Sequence, residues 1–197
     1  MNIDGLINNI IWAVIIGSVG IALFSIIHNY YAEDKITVKK LNDTQINRIE
    51  RYIMRLTPRE FEIFVAKLIE YKYKCKFEIT PATNDKGKDI ILYGYNGYNL
   101  TYVECKQYKQ DILVGREIVN KLIGSASMGG ATNSIIVTTS NYTRTAVDCI
   151  GQSKSVKLEL WYMSDLIDII KEMNESDLMN WFGIVIDEEK IIKTSYK

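Results

Sequence analysis

Histidine is nearly absent, with one residue, His28, in 197. That scarcity excludes His-based zinc hydrolases, Ser-His-Asp triads and Cys-His proteases. Cysteine is scarce too: Cys75, Cys105 and Cys149 are odd in number and include no CxxC pair, so neither a disulfide framework nor a zinc knuckle fits. Net charge is also missing, because 24 Lys and Arg stand against 24 Asp and Glu. A nucleic-acid site therefore has to be a local patch, not a global basic field. Chemistry is left to carboxylates, lysines and a hard metal. The content of 47% apolar and 24% charged residues is an ordinary globular balance, which excludes wholesale disorder and supports one domain with an appendage.

Charge is distributed unevenly. Residues 1–32 contain one charged side chain, Asp4, and residues 5–27 run 23 positions without any. As a helix that run measures about 34 Å, enough to cross a bilayer core. Trp12 near one end and His28, Tyr30 and Tyr31 at the other suit interfacial anchoring. A signal peptide would want a basic start that MNID lacks. The expectation is one transmembrane anchor over residues 1–31, held in the lipid bilayer through 5–27. Lys35, Lys39, Lys40, Arg48, Arg51 and Arg55 all follow the run. They predict a single-pass protein of the cell membrane whose bulk faces the cytoplasm, a reducing compartment that agrees with unpaired cysteines.

Beyond the anchor, 32–56 reads as a linker and connecting helix, with Ile46, Ile49, Ile53 and Leu56 at helical spacing. Thr57-Pro58-Arg59-Glu60 is a helix start with a capping box, and Phe61, Phe64, Val65 and Leu68 form the buried stripe that follows. CKFEIT alternates as a strand should. DIILYGY and LTYVECKQY flank Asn96-Gly97, the strongest short hairpin signal. VGREIVNKLIGSAS and TRTAVDCIGQ read as helices, SIIVTT and VKLELW as strands, and MSDLIDIIKEM as a closing helix. The order predicts an α/β domain over 57–172, a mixed β-sheet flanked by helices on both faces, with 173–197 a C-terminal tail.

The hairpin concentrates the chemistry. If Asn96-Gly97 is a two-residue turn, Tyr95 faces Tyr98, and counting back along both strands brings Asp89 opposite Glu104. Glu104 and Lys106 share a face, while Val103 and Cys105 point into the core. Two carboxylates about 5 Å apart destabilise a hairpin unless a cation or proton offsets them. Two readings fit. Lys106 neutralises both acids as a solvated cross-strand ion pair, or Asp89, Glu104 and the Cys105 backbone carbonyl supply the oxygen ligands that Mg²⁺ prefers. Gly87, flanked by Lys86 and Lys88, suits close approach of a phosphate backbone. Tyr108, Lys109, Arg116, Lys121 and Arg144 follow the hairpin and could line a backbone groove.

Asp89 with Glu104-Cys105-Lys106 resembles the D…(D/E)xK signature of restriction-endonuclease-like nucleases. Residues 57–172, from LTPREFEIFVAKLIEYKYKCKFEIT through YVECKQY to IIVTTSNYTRTAV, are similar to the Mrr-type restriction endonuclease catalytic domain. The resemblance implies a restriction-endonuclease-like fold and a DNA endonuclease of the type IV kind, dependent on Mg²⁺ or Mn²⁺. Asp89 and Glu104 would hold the metal, and Lys106 would orient or deprotonate the attacking water. Glu62 matches an auxiliary acidic position, or is simply a solvent-facing helix glutamate. Asp85 matches the first acid of the family's DxGxD loop. Gln107 contacts phosphate or merely ends the strand, and Thr138-Thr139-Ser140 belongs to the fold and the groove. The DNA-contacting set implied is Lys86, Lys88, Gln107, Lys109 and Arg116.

Mrr-type domains often carry Gln where this chain has Glu104, which here favours metal binding. The 56 residues before the domain do not supply the family's separate recognition domain, so no sequence or methylation specificity is implied. Cleaving both strands needs two sites, so a homodimer is expected. A catalytically inactive DNA-binding or sensing module at the membrane is the rival reading, and a structural interaction protein is a third.

Overall fold

Asn96 and Gly97 both take left-handed backbone conformations, with φ of 44° and 83°. These are the signs a two-residue turn of type I′ requires, and Asn and Gly tolerate them best. The turn sets the register of the strands it joins, β2 (Ile90–Tyr95) and β3 (Tyr98–Lys106), from Tyr95 opposite Tyr98 back to Ile90 opposite Val103. The computed structural model describes residues 41–81 and 87–186. Within them β1 (Lys76–Ile79) pairs antiparallel with β2, and β4 (Asn133–Thr138) and β5 (Lys157–Trp161) extend the sheet in parallel beyond β3. Spatial order equals chain order, β1-β2-β3-β4-β5. The sheet is mixed, as the alternation of hairpin and β-α-β segments predicts.

Among the described residues six helices cover its faces: α1 (Asp43–Arg55), α2 (Pro58–Tyr73), α3 (Arg116–Gly129), α4 (Arg144–Val147), α5 (Met163–Lys171) and α6 (Glu175–Ile186). On one face α1, α2, α5 and α6 bury Ile90, Leu92, Val103, Cys105, Ile135 and Val137. On the other, α3 and α4 cover Tyr102, Ile136 and Leu158. The start of α2 has the predicted capping box: the Thr57 N–H donates to the Glu60 carboxylate at 2.7 Å, and the Glu60 N–H donates to Thr57 Oγ1 at 3.3 Å. The Thr57 backbone bond holds the Glu60 carboxyl below the usual carboxylate range. All four stripe residues, Phe61, Phe64, Val65 and Leu68, are buried.

Three elements differ from the sequence reading. First, α1 is part of the core, because Ile49 and Ile53 are fully buried. Second, the C-terminal region is not a plain tail. Helix α6 packs on α1, burying Leu178 and Phe182, with Phe182 edge-on to Tyr52 at 6.1 Å. Each helix has an apolar stripe too narrow to stand alone in water, and each covers the other's. Third, the helix expected over TRTAVDCIGQ is one turn, Arg144–Val147, followed by turns that reach Gly151 at a φ of 75°. The anchor over 1–31, residues 32–40 of the linker, Asp85, Lys86 and residues 187–197 lie outside the described residues. Among the described residues no helix is long and apolar enough to cross a membrane.

Candidate active site

Glu104 lies near the C-terminal end of β3, opposite Ile136 of β4, and only 2% of its surface is exposed. A carboxylate there needs a partner. Lys106, two positions on along the same face, supplies it: its Nζ donates to Glu104 Oε1 at 2.7 Å and to the Cys105 carbonyl at 3.2 Å. Glu104 Oε2 is buried with no hydrogen-bond partner. Val103 and Cys105 point to the opposite face and join the core under α2, as period-two alternation requires.

Asp89 reaches the same patch by a route that strand pairing did not predict. The β2–β3 ladder stops at Ile90–Val103. The Asp89 N–H donates to the Val103 carbonyl at 2.8 Å, and Asp89 Oδ2 accepts the Cys105 N–H at 2.7 Å. The side chain thus replaces a ladder partner, and the expected cross-strand pairing of Asp89 with Glu104 gives way to a cap on the next residue. On its other side, the Asp89 carbonyl accepts from the Thr80 N–H at 2.9 Å, and Thr80 Oγ1 donates to the Lys88 and Asp89 carbonyls at 2.8 and 3.1 Å. Thr80 is itself buried, so the segment entering β2 is fixed from both flanks.

Burial, then the charge of Glu104, pushes the Asp89 carboxyl up to about 6, against the opposing pull of the Cys105 N–H and Lys106. For Lys106, burial acts downward, but the Glu104 hydrogen bond and the charges of Glu104 and Asp89 outweigh it, and its ammonium is held above its ordinary range. The ion pair is therefore not the solvated one that spacing alone allows, since 3% of the Glu104 side chain and 23% of the Lys106 side chain is exposed. Among the described residues no group of three or more His, Cys, Asp or Glu side chains is gathered for a metal. The oxygen set is two carboxylates and one carbonyl. Glu104 Oε2 is free to accept, and a hard cation that keeps several waters needs no more protein ligands than these.

Glu62 on α2 is close enough to raise Asp89 and Cys105 further, although its Oε2 is taken by Arg59 Nη1 at 2.7 Å. The same Arg59 nitrogen donates to the Thr80 carbonyl at 2.8 Å, tying the start of α2 to the end of β1. Sequence reasoning missed Arg59 and Thr80. The i,i+3 spacing of Arg59 and Glu62 was the one available signal.

Of the implied DNA-contacting residues, Lys88, Gln107, Lys109 and Arg116 lie among the described residues. Lys109 and Arg116 are exposed, and Arg116 donates to Gln152 Oε1 at 3.1 Å. Lys88 is buried, with its ammonium 4.4 Å above the Tyr102 ring. Lys121 of α3 lies against the loop instead: a Cβ on Gly87, whose φ is 79°, would come within 2.9 Å of Lys121 Cε.

Gln107 has a structural task. Its Nε2 donates to the Ile53 and Leu56 carbonyls at 2.8 and 2.6 Å, closing the C-terminal end of α1. Replacing Gln107 by leucine leaves those half-buried carbonyls short of donors, and the expected loss is about 1–3 kcal/mol in denaturant unfolding. The VTTS segment also serves the fold. Thr138 Oγ1 donates to the Lys106 carbonyl at 2.7 Å and Thr139 Oγ1 to the Tyr108 carbonyl at 2.8 Å, which pins the strand end that carries Lys106.

The fold, a mixed five-stranded sheet flanked by helices, has counterparts among solved structures. The DNA modification-dependent restriction endonuclease AspBHI matches with a TM-score of 0.53 at 18% identity, covering 70% of this chain and 37% of that one. The MspJI restriction endonuclease in complex with a 27-mer oligonucleotide matches with a TM-score of 0.47 at 15% identity, covering 65% of this chain and 30% of that one. This chain thus corresponds to well under half the length of either. The fold is that of a restriction-endonuclease-like nuclease domain. Residues 53–170 match the family Mrr_cat, restriction endonuclease, and the chain belongs to that family. Curated protein sequences give no significant match.

Proposed function

We propose that this protein is a membrane-anchored, divalent-metal-dependent DNA endonuclease acting on foreign DNA at the cytoplasmic face of the cell membrane. The observation that carries the reading is the buried Glu104 carboxylate, with one oxygen on Lys106 and the other without a partner, beside an Asp89 whose carboxyl burial and Glu104 push up to about 6. A purely structural ion pair gains nothing from that second acid. Asp89, Glu104 and the Cys105 carbonyl would hold Mg²⁺ or Mn²⁺, which when bound supplies Lewis-acid stabilisation of charge on the phosphate. Lys106 stays protonated at neutral pH, so its part is to donate hydrogen bonds that orient the attacking water against the scissile phosphorus. Glu62 supports the acid pair through its charge, and Arg59 keeps it in place.

The anchor rests on the uncharged run 5–27 and the basic residues after it. Confining the enzyme to the membrane raises its effective concentration where foreign DNA enters. A type IV-like preference for modified DNA is supported by the name of the AspBHI relative, and a homodimer by the need to cut two strands. The test is incubation of the full-length chain with modified and unmodified plasmid in Mg²⁺ or in EDTA, with Asp89→Ala alongside. Nicking in Mg²⁺ alone, lost in the variant, is expected. DNA binding without cleavage on any substrate would instead make this a sensing module.

A further inference from the structure

The two backbone carbonyls that flank the Asp89 Cα are held by one residue. Thr80 Oγ1 donates to the Lys88 carbonyl at 2.8 Å and to the Asp89 carbonyl at 3.1 Å, and the Thr80 N–H donates to the Asp89 carbonyl at 2.9 Å. A peptide unit is planar, so the direction in which a side chain leaves its Cα is set by the planes before and after it. The plane before Asp89 is pinned at both ends, its carbonyl by the Thr80 hydroxyl and its N–H by the Val103 carbonyl at 2.8 Å. The plane after Asp89 is pinned at its carbonyl by both donors of Thr80. Thr80 therefore sets φ and ψ of Asp89, and with them the line along which its Cβ departs.

The sequence explains why a side chain does this. Strand β1 ends at Ile79, opposite Ile90, and Pro81 follows Thr80. Proline has no N–H and holds the residue before it to extended backbone, so the hydroxyl supplies a donor that the next residue of the chain lacks. Thr80 is buried, and its own carbonyl accepts from Arg59 Nη1 at 2.8 Å, the nitrogen that also donates to Glu62 Oε2 at 2.7 Å. The first turn of α2 fixes Thr80, and Thr80 fixes Asp89. From the other side, Asp89 Oδ2 accepts the Cys105 N–H at 2.7 Å. With its backbone held from β1 and one oxygen held from β3, the carboxylate has little freedom left beside Glu104.

We propose that Thr80 is a positioning residue of the nuclease site, whose hydroxyl aims the Asp89 carboxylate at the divalent cation without itself touching cation or DNA. This rests on the nuclease reading and adds to it the group that sets one of the two acids in place.

The test compares full-length wild type, Thr80→Val, Thr80→Ser and Tyr95→Phe by Mn²⁺ binding without DNA, read by electron paramagnetic resonance, by thermal melting in EDTA, and by kcat and KM on duplex DNA. Valine keeps the shape of threonine and loses the hydroxyl. Thr80→Val is expected to bind Mn²⁺ about 10–100-fold more weakly, the range for losing a group that orients a metal ligand, and to lower kcat with KM nearly unchanged. Serine keeps the donor, so Thr80→Ser should bind Mn²⁺ nearly as wild type does. Tyr95, at the turn end of the hairpin, donates its hydroxyl to Glu159 Oε2 at 3.0 Å. Tyr95→Phe should melt lower and leave Mn²⁺ affinity unchanged, which separates lost stability from lost aim. Thr80→Val that melts lower yet binds Mn²⁺ like wild type would make Thr80 purely structural and overturn the proposal, leaving the nuclease reading intact if wild type still cuts. Weakening as large as that of Thr80→Val in either Thr80→Ser or Tyr95→Phe would overturn it too. Wild type that binds Mn²⁺ but cuts no DNA removes the nuclease reading alone, since the affinities still report Thr80. Wild type that binds no Mn²⁺ overturns both.

Discussion

Lys106→Met is expected to lower DNA cleavage by about 10²–10⁴-fold, the range found when a positioned proton-handling or charge-stabilising group is lost. The variant also leaves Glu104 buried and unpaired, at 2% exposure with its second oxygen already without a partner. Breaking a buried pair from one side costs about 3–5 kcal/mol, so lost activity alone could mean an unfolded chain. The double variant Lys106→Met with Glu104→Gln removes the stranded charge. It should regain most of the melting temperature and none of the cleavage. Lys106→Arg keeps the cation but spreads it over a planar fork, and should recover stability with only part of the rate. If the double variant were stable and cut DNA at the wild-type rate, Lys106 would have no part in the chemistry.

Asp89→Asn should behave in the opposite way, abolishing metal-supported cleavage while stabilising the metal-free fold. Asp89 has a folded pKa of about 6, against about 3.9 for an unfolded chain. Between those values the native state binds more protons than the unfolded state. The stability this group contributes is therefore fully present below about pH 4 and is lost as pH rises through 6. At pH 7 the ionised carboxylate opposes folding by about 2–3 kcal/mol. Asparagine keeps an oxygen for the Cys105 N–H, adds donors toward Glu104 and removes the like charge. The variant should melt several degrees higher than wild type at pH 7 without metal, and the difference should vanish near pH 4. Adding Mg²⁺ should raise wild-type melting and leave the variant where it is. A wild-type melting temperature that does not change between pH 4 and 7 relative to Asp89→Asn would show that neither burial nor Glu104 raises the Asp89 carboxyl.

The hairpin and its acids were legible because their information is local. Asn96-Gly97 sets the register, period-two alternation sets the face, and Asp89, Glu104 and Lys106 fall within 18 residues of each other. What sequence patterns did not carry is competition and distance. The end of the ladder at Ile90 depends on Asp89 winning the Cys105 N–H from the backbone, and no spacing encodes that contest. Gln107 serves carbonyls 51 and 54 residues away, and the amide gives no sign of it. The stripe of α1 announces a buried face but not its cover, which is α6, more than a hundred residues later in the chain. Lys88 stands out in the sequence for its place beside Gly87; its contact with the ring of Tyr102, across the hairpin, has no signal in the spacing.

Glu104 lies opposite Ile136 and owes its burial to β4 and to α3, elements that leave the ribosome after the hairpin is complete. A nascent chain that stops short of residue 116 already contains both acids and Lys106. That fragment lacks the strand that lies against Glu104 in the finished sheet. Competence thus arrives late in synthesis, with the parallel half of the sheet, and a truncated translation product holds the reactive groups without the environment that tunes them.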